Sequence, residues 1–161
     1  MPRKLLVFLI MLAIGISSGI SGEATEWKTR TLAHLTLELP EGWFRVFGGN
    51  PSELGGFIRP LWEGEPPEGE QILQSADILV VLSGEYAAGP LEELRQSGTP
   101  FTEEPITVGG VTTSLYRAEA MGKEAFMVFL EGPKLGFGLF LRKESAAEAR
   151  RIFESIAIGA F

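Results

Sequence analysis

One histidine, His34, one aspartate, Asp77, and no cysteine bound the chemistry open to this chain of 161 residues. Without cysteine there is no disulfide, no thiol nucleophile and no thiolate metal ligand. A serine triad would need His34 and Asp77 beside a serine. No G-x-S-x-G turn among residues 25–161 supplies one. A zinc site needs several ligands together, and a lone histidine does not make one. His34 therefore reads as a strand residue. The EF-hand pattern needs several Asp and Asn, and here the acids are nearly all glutamate. Gly48-Gly49 and Gly55-Gly56 lack the Lys-Ser/Thr pair of a phosphate loop.

Paired carboxylates remain. Glu65, Glu68 and Glu70 lie close in sequence, as do Glu92 and Glu93, and Glu103 and Glu104. Glycoside hydrolysis needs two carboxylates held rigidly across a cleft. The first set sits on a Glu/Pro loop, Glu63–Gly69 with Glu70, which charge repulsion and proline keep solvated. A glutamate-dependent hydrolase thus ranks third among the functional readings, and no catalytic, metal or cofactor residue is assigned. The formal net charge is −7. That balance opposes nucleic acid, whose binding rests on phosphate neutralisation, and opposes attachment to anionic lipid.

Apolar residues suggest binding instead. Trp27, Trp43, Phe44, Phe47, Phe57 and Trp62 gather in the first third of the expected mature domain. Their ordinary role is core packing. The alternative is an aromatic groove at Phe57–Trp62, with Trp62 as its rim anchor before the acidic loop. Gly136 and Gly138 share one face of an expected strand and open a gap there. A helix or an aromatic ring would fill that gap in a simple packing. A small apolar ligand or lipid would fill it in a carrier. Phe57, Trp62, Gly136 and Gly138 are thus the candidate partner or ligand surface.

The N-terminus has the order of a secretory signal: Arg3 and Lys4, the apolar run Leu5–Ile16, then small and polar residues. The run is shorter than the roughly 20 apolar residues of a spanning helix. Gly22-Glu23-Ala24 matches a small-x-small cleavage site. The expectation is a signal peptide over 1–24 and a single exported domain over 25–161, periplasmic or secreted and not membrane-spanning. Loss of Arg3, Lys4 and Glu23 leaves the mature domain one unit more negative.

Periodicity supplies the elements that must position any site. Thr31–Leu39 alternates apolar and polar residues and reads as one half-buried strand, stopped by Pro40-Glu41-Gly42. Trp43–Phe47 restarts a strand, Gly48–Gly56 is loop by composition, and Phe57–Trp62 is a short strand limited by Pro60. Ala76–Leu82 is a β-branched strand run. Pro90–Gln96 reads as a short helix, with Pro90 in its first turn. Gly98–Glu104 reads as loop and Pro105–Val108 as a short strand before the Gly109-Gly110 turn. Val111–Ala120, Lys123–Leu130 and Leu135–Arg142 form an antiparallel meander. Ser145–Ser155 is the strongest helix. Ser145 and Glu148 fit a capping box, and Ala149, Ile152, Phe153 and Ile156 make one apolar stripe. Ile156–Phe161 forms an apolar tail that could close as a strand. The order implies an α+β fold, an antiparallel sheet flanked by helices.

Three pieces resemble the PsbP-like or Mog-type fold family, which includes DcrB-like exported bacterial proteins. They are the first strand running into Leu39-Pro40-Glu41-Gly42-Trp43, Val108-Gly109-Gly110-Val111 leading into the meander, and the closing helix Ala149–Ile156. The resemblance implies an α-β-α sandwich and a role in binding other proteins. It carries over no functional residue, because the matching motifs are structural. The leading expectation is a non-enzymatic exported domain that binds an envelope or secreted protein. A carrier of a small apolar ligand or lipid comes second.

Overall fold

A computed structural model describes residues 26–46, 53–68, 71–120, 122–142 and 145–159. The expected signal segment lies outside the described residues, as do Phe47, Gly48, Gly49 and Glu70. Among the described residues no helix is long and apolar enough to cross a membrane.

The expected strand over Thr31–Leu39 is two strands. β1 (Trp27–Leu32) turns back at Ala33-His34 and pairs antiparallel with β2 (Leu35–Pro40), Leu32 opposite Leu35. Ala33 takes a left-handed φ of 52°. Two-residue hairpin turns of this hand usually carry Asn or Gly, so Ala-His hid the reversal. Leu35, Leu37 and Leu39 keep period two and are buried. β3 (Phe44–Val46) follows.

β4 (Glu53–Pro60) begins inside the stretch expected as loop. Its pairing with β5 (Ala76–Ser83) is irregular between Glu53 and Gly55. A side-chain carbon on Gly56 would lie 2.2 Å from the Leu79 carbonyl oxygen. This glycine marks a close approach between strands rather than a loop. Pro60 ends β4 as expected. A single turn, α1 (Gln71–Gln74), and a 3-10 turn at Gly84–Tyr86 flank β5. α2 (Gly89–Gln96) starts with Pro90 in its first turn.

β6 (Phe101–Val108) also begins earlier than expected, with Phe101–Glu104 part of the strand. Its first five residues are exposed, so no alternation of burial showed in the sequence. β7 (Val111–Ala120), β8 (Lys123–Leu130) and β9 (Leu135–Leu141) form the expected meander. α3 (Ala146–Glu154) buries Ala149, Ile152 and Phe153, and the tail supplies β10 (Ala157–Ile158), paired with β2.

The larger sheet has the order β3-β4-β5-β9-β8-β7-β6, and the smaller β1-β2-β10. One face of the larger sheet is covered by the smaller sheet and α3, around Leu39, Trp43, Phe57, Leu79, Phe126 and Phe153. The other face packs on α2 through Leu91 and Leu94, with Ile58, Ile78, Met127 and Phe140. The expectation of an antiparallel sheet with helices holds. The helix-flanked sandwich is corrected: the described structure is predominantly sheet, and three strands supply much of one covering layer.

Candidate functional site

The four candidate surface residues do not form one surface. Phe57 is 1% exposed and belongs to the core beneath α3 and the small sheet. Gly136 and Gly138 are buried. The Gly136 gap is filled by the turn leading into α2: a side-chain carbon there would lie 2.0 Å from the Ala87 carbonyl oxygen. The Phe140 ring lies 3.4 Å from the same position on Gly138. Trp62 is half-buried against the opposite core cluster, just before the exposed Glu63 and Glu65. Trp43 is buried with the Arg59 guanidinium 5.0 Å over its ring, and Arg151 covers Trp27 at 3.8 Å.

The catalytic candidates also separate. His34 sits in the β1–β2 turn, where its carbonyl accepts from the Gly159 N–H at 2.7 Å, whereas Asp77 is held by Arg59 and the Arg142 N–H. Strand alternation turns Glu103 and Glu104 to opposite faces: Glu103 accepts from Ser114 Oγ at 2.8 Å, whereas Glu104 pairs with Arg150 at 3.5 Å. Glu65 and Glu68 are exposed, and Glu92 and Glu93 lie on α2. Among the described residues no three His, Asp or Glu converge as metal ligands.

One end of the larger sheet carries a charged network that periodicity did not disclose. Asp77 is fully buried; its Oδ2 accepts from Arg59 Nε at 2.9 Å and Nη2 at 2.6 Å, and its Oδ1 accepts from the Arg142 backbone N–H at 3.2 Å. Arg59 also pairs with Glu148 at 2.8 Å. Glu124 pairs with Arg117 and accepts from the Ser145 backbone N–H at 3.2 Å. The expected capping box is therefore absent. Ser145 makes no side-chain cap and has φ −113° and ψ 21°, away from the extended cap geometry. Tertiary charge partners claim both ends of the box: Glu124 takes an orphan amide of α3, and Glu148 turns to Arg59.

Lys123 belongs to the same end. It is 4% exposed, and its Nζ is buried without a hydrogen-bond partner among the described residues. Burial pushes its ammonium down to about 8, against the favourable field of Asp77 and with added repulsion from Arg142. Below that pH both folded and unfolded chains hold the proton. Above it the folded chain releases the proton first, so the unfolded state binds more and stability rises with pH up to about 10.5. Lys123→Met is expected to flatten this rise and to add roughly 1–2 kcal/mol at pH 7 by removing an unpaired buried charge. Urea unfolding at pH 7, 8.5 and 10 checks both; an unchanged slope with pH would refute the assignment. Lys123 lines neither of the grooves described next.

Among the described residues, β6 is the longest edge strand. It is an edge of the larger sheet, whereas the opposite edge, β3, is three residues long. Two grooves border it. One of about 300 Å³ is lined by Phe101, Thr102, Arg117, Glu119 and Glu124 among others. The second, about 430 Å³, is lined by Pro105, Ile106, Thr107, Thr112, Arg150 and Glu154. Phe101 is 39% exposed and meets the Tyr116 ring edge-on at 5.8 Å. Tyr116 accepts from Arg95 Nη2 at 3.0 Å and donates to Glu103 at 3.3 Å, which ties α2 to the edge. The sequence held one signal for this edge. Pro105 stands within a run containing Thr102, Ile106, Thr107 and Val108, and proline in such a run belongs on an edge strand. No protein-family model matches the chain, and no curated protein matches it.

Proposed function

We propose that this chain is an exported, non-enzymatic domain that binds another protein through the β6 edge. The observation that carries the reading is an eight-residue edge strand with its first five residues exposed and grooves bordering it. Proteins ordinarily shorten or cover such edges, because unpaired strand groups recruit other chains. The signal-like order of residues 1–24 supports export, and the resemblance to PsbP-like domains supports a binding role. Ala87 and Phe140 occupy the glycine face, one of the two features that suggested a carrier of a small apolar ligand.

A photoreactive residue at Thr102, in the secreting cell, is expected to give discrete adducts with a protein of the extracytoplasmic fraction. The same probe at Thr29, on β1, the exposed six-residue edge of the smaller sheet with no groove described beside it, is expected to give none. Recovery of the chain from that fraction beginning at Thr25 reads export. No adduct from Thr102, or equal adducts from both positions, refutes the reading.

A further inference from the structure

Resting on that protein-binding reading, we infer that β6 takes an extended basic segment of its partner as an added strand along Phe101–Glu103. Gly109 and Gly110 form a two-residue turn with φ of 58° and 79°, and Val108 pairs with Val111. That turn makes Val108 and Val111 a hydrogen-bonded pair. Alternation then points the amide groups of Ile106, Glu104 and Thr102 toward β7. Those of Thr107, Pro105, Glu103 and Phe101 point away from the sheet. The bond from Arg150 Nη2 to the Pro105 carbonyl at 3.0 Å agrees with this register.

The same bond limits the open edge. Pro105 has no N–H to offer, and Arg150 holds its carbonyl. Beyond it the second groove wraps the strand. Phe101 and Glu103 keep outward N–H and C=O groups, four ladder positions in alternating order. Strand addition supplies affinity through such main-chain bonds and specificity through flanking side chains.

The flanking side chains choose the partner's charge. Glu103, Glu104 and Glu119 are exposed along this half of the edge. Arg117 is engaged by Glu124, and Arg150 by Glu104 and Glu154. An incoming lysine or arginine meets the exposed carboxylates of Glu119 and of Glu103, which is held by the Ser114 and Tyr116 hydroxyls rather than by a direct cation, and an apolar neighbour on its strand can lie on Phe101. A second copy fits poorly, because antiparallel pairing brings the Glu103-Glu104 sets of both copies into one short ladder.

The test uses a peptide of about ten residues alternating lysine with valine and threonine, and its glutamate-for-lysine counterpart. With the full domain, the lysine peptide is expected to slow hydrogen exchange at the Phe101 and Glu103 amides at least about tenfold. Glu103→Pro removes an outward N–H without touching the β7 ladder. It is expected to weaken binding at least about tenfold relative to Glu103→Ala, which loses the same Ser114 and Tyr116 contacts but keeps the N–H. Glu103→Gln keeps the N–H, so it separates the charge contribution from the ladder. No binding, protection elsewhere, unchanged affinity in Glu103→Pro, equal binding of the glutamate peptide, or a dimer built on β6 would each overturn the inference. Adducts from Thr102 combined with any of those outcomes would leave protein binding standing and remove strand addition alone.

Discussion

Asp77→Ala is expected to lower unfolding stability by about 3–5 kcal/mol, the loss seen when one member of a buried ion pair is removed. Asp77 has no exposure and satisfies three donors: two from the Arg59 guanidinium and the Arg142 backbone N–H. Alanine cannot accept from any of them. Arg59 would keep Glu148 and the Trp43 ring, which temper the loss, but its Nε would face a cavity without an acceptor. The Arg142 amide would lose its partner where β9 ends. A double change, Asp77→Leu with Arg59→Met, is expected to recover a large part of the loss, because an apolar pair needs no desolvation. Guanidinium unfolding of the parent, single and double variants measures this. A loss below about 1 kcal/mol for Asp77→Ala would mean that water reaches Arg59 readily and that the network is peripheral.

Gly136→Ala is expected to cost about 3 kcal/mol or more, at the upper end of overpacking. The added carbon would meet Ala87 backbone atoms at 2.0, 2.8 and 3.1 Å. These are main-chain atoms, so no rotamer change relieves the clash. The Ala87 segment is also anchored, with Gly84 N–H donating to the Lys134 carbonyl at 3.0 Å. Relief would have to come from lifting the start of α2, which draws Leu91 and Leu94 away from the sheet. Gly138→Ala is the internal comparison. Its nearest neighbour is the Phe140 ring at 3.4 Å, an ordinary contact, and a loss under about 1 kcal/mol is expected. Thermal unfolding of both variants decides the matter. Equal small effects would show that α2 shifts freely.

Much of this architecture was legible from local pattern. The meander, the β5 run, the apolar stripe of α3 and the start of α2 at Pro90 depend on near-neighbour periodicity and backbone restriction, which act within a few residues. The Ala33-His34 reversal was not legible, because its residues lack the chemistry that usually accompanies that turn. The early starts of β4 and β6 were hidden for opposite reasons. β4 carries a glycine, Gly56, required by close approach, and β6 carries polar residues early in the strand that an exposed edge permits.

The scarcity of reactive residue types came from sequence alone, since a histidine, cysteine or aspartate that is absent cannot be created by folding. It determined that no thiol chemistry and no histidine cluster could arise. Placement of the residues that are present was decided only in three dimensions. Sequence spacing put Gly136 and Gly138 on one face as equals; the fold set backbone against the first and a ring against the second. It also put Glu148 beside Ser145 as a cap, whereas Arg59, distant along the chain, drew that carboxylate away. Periodicity reports which side a residue faces. What stands opposite it depends on contacts between strands far apart in the chain, and those contacts turned Asp77 into a buried anchor and left β6 open.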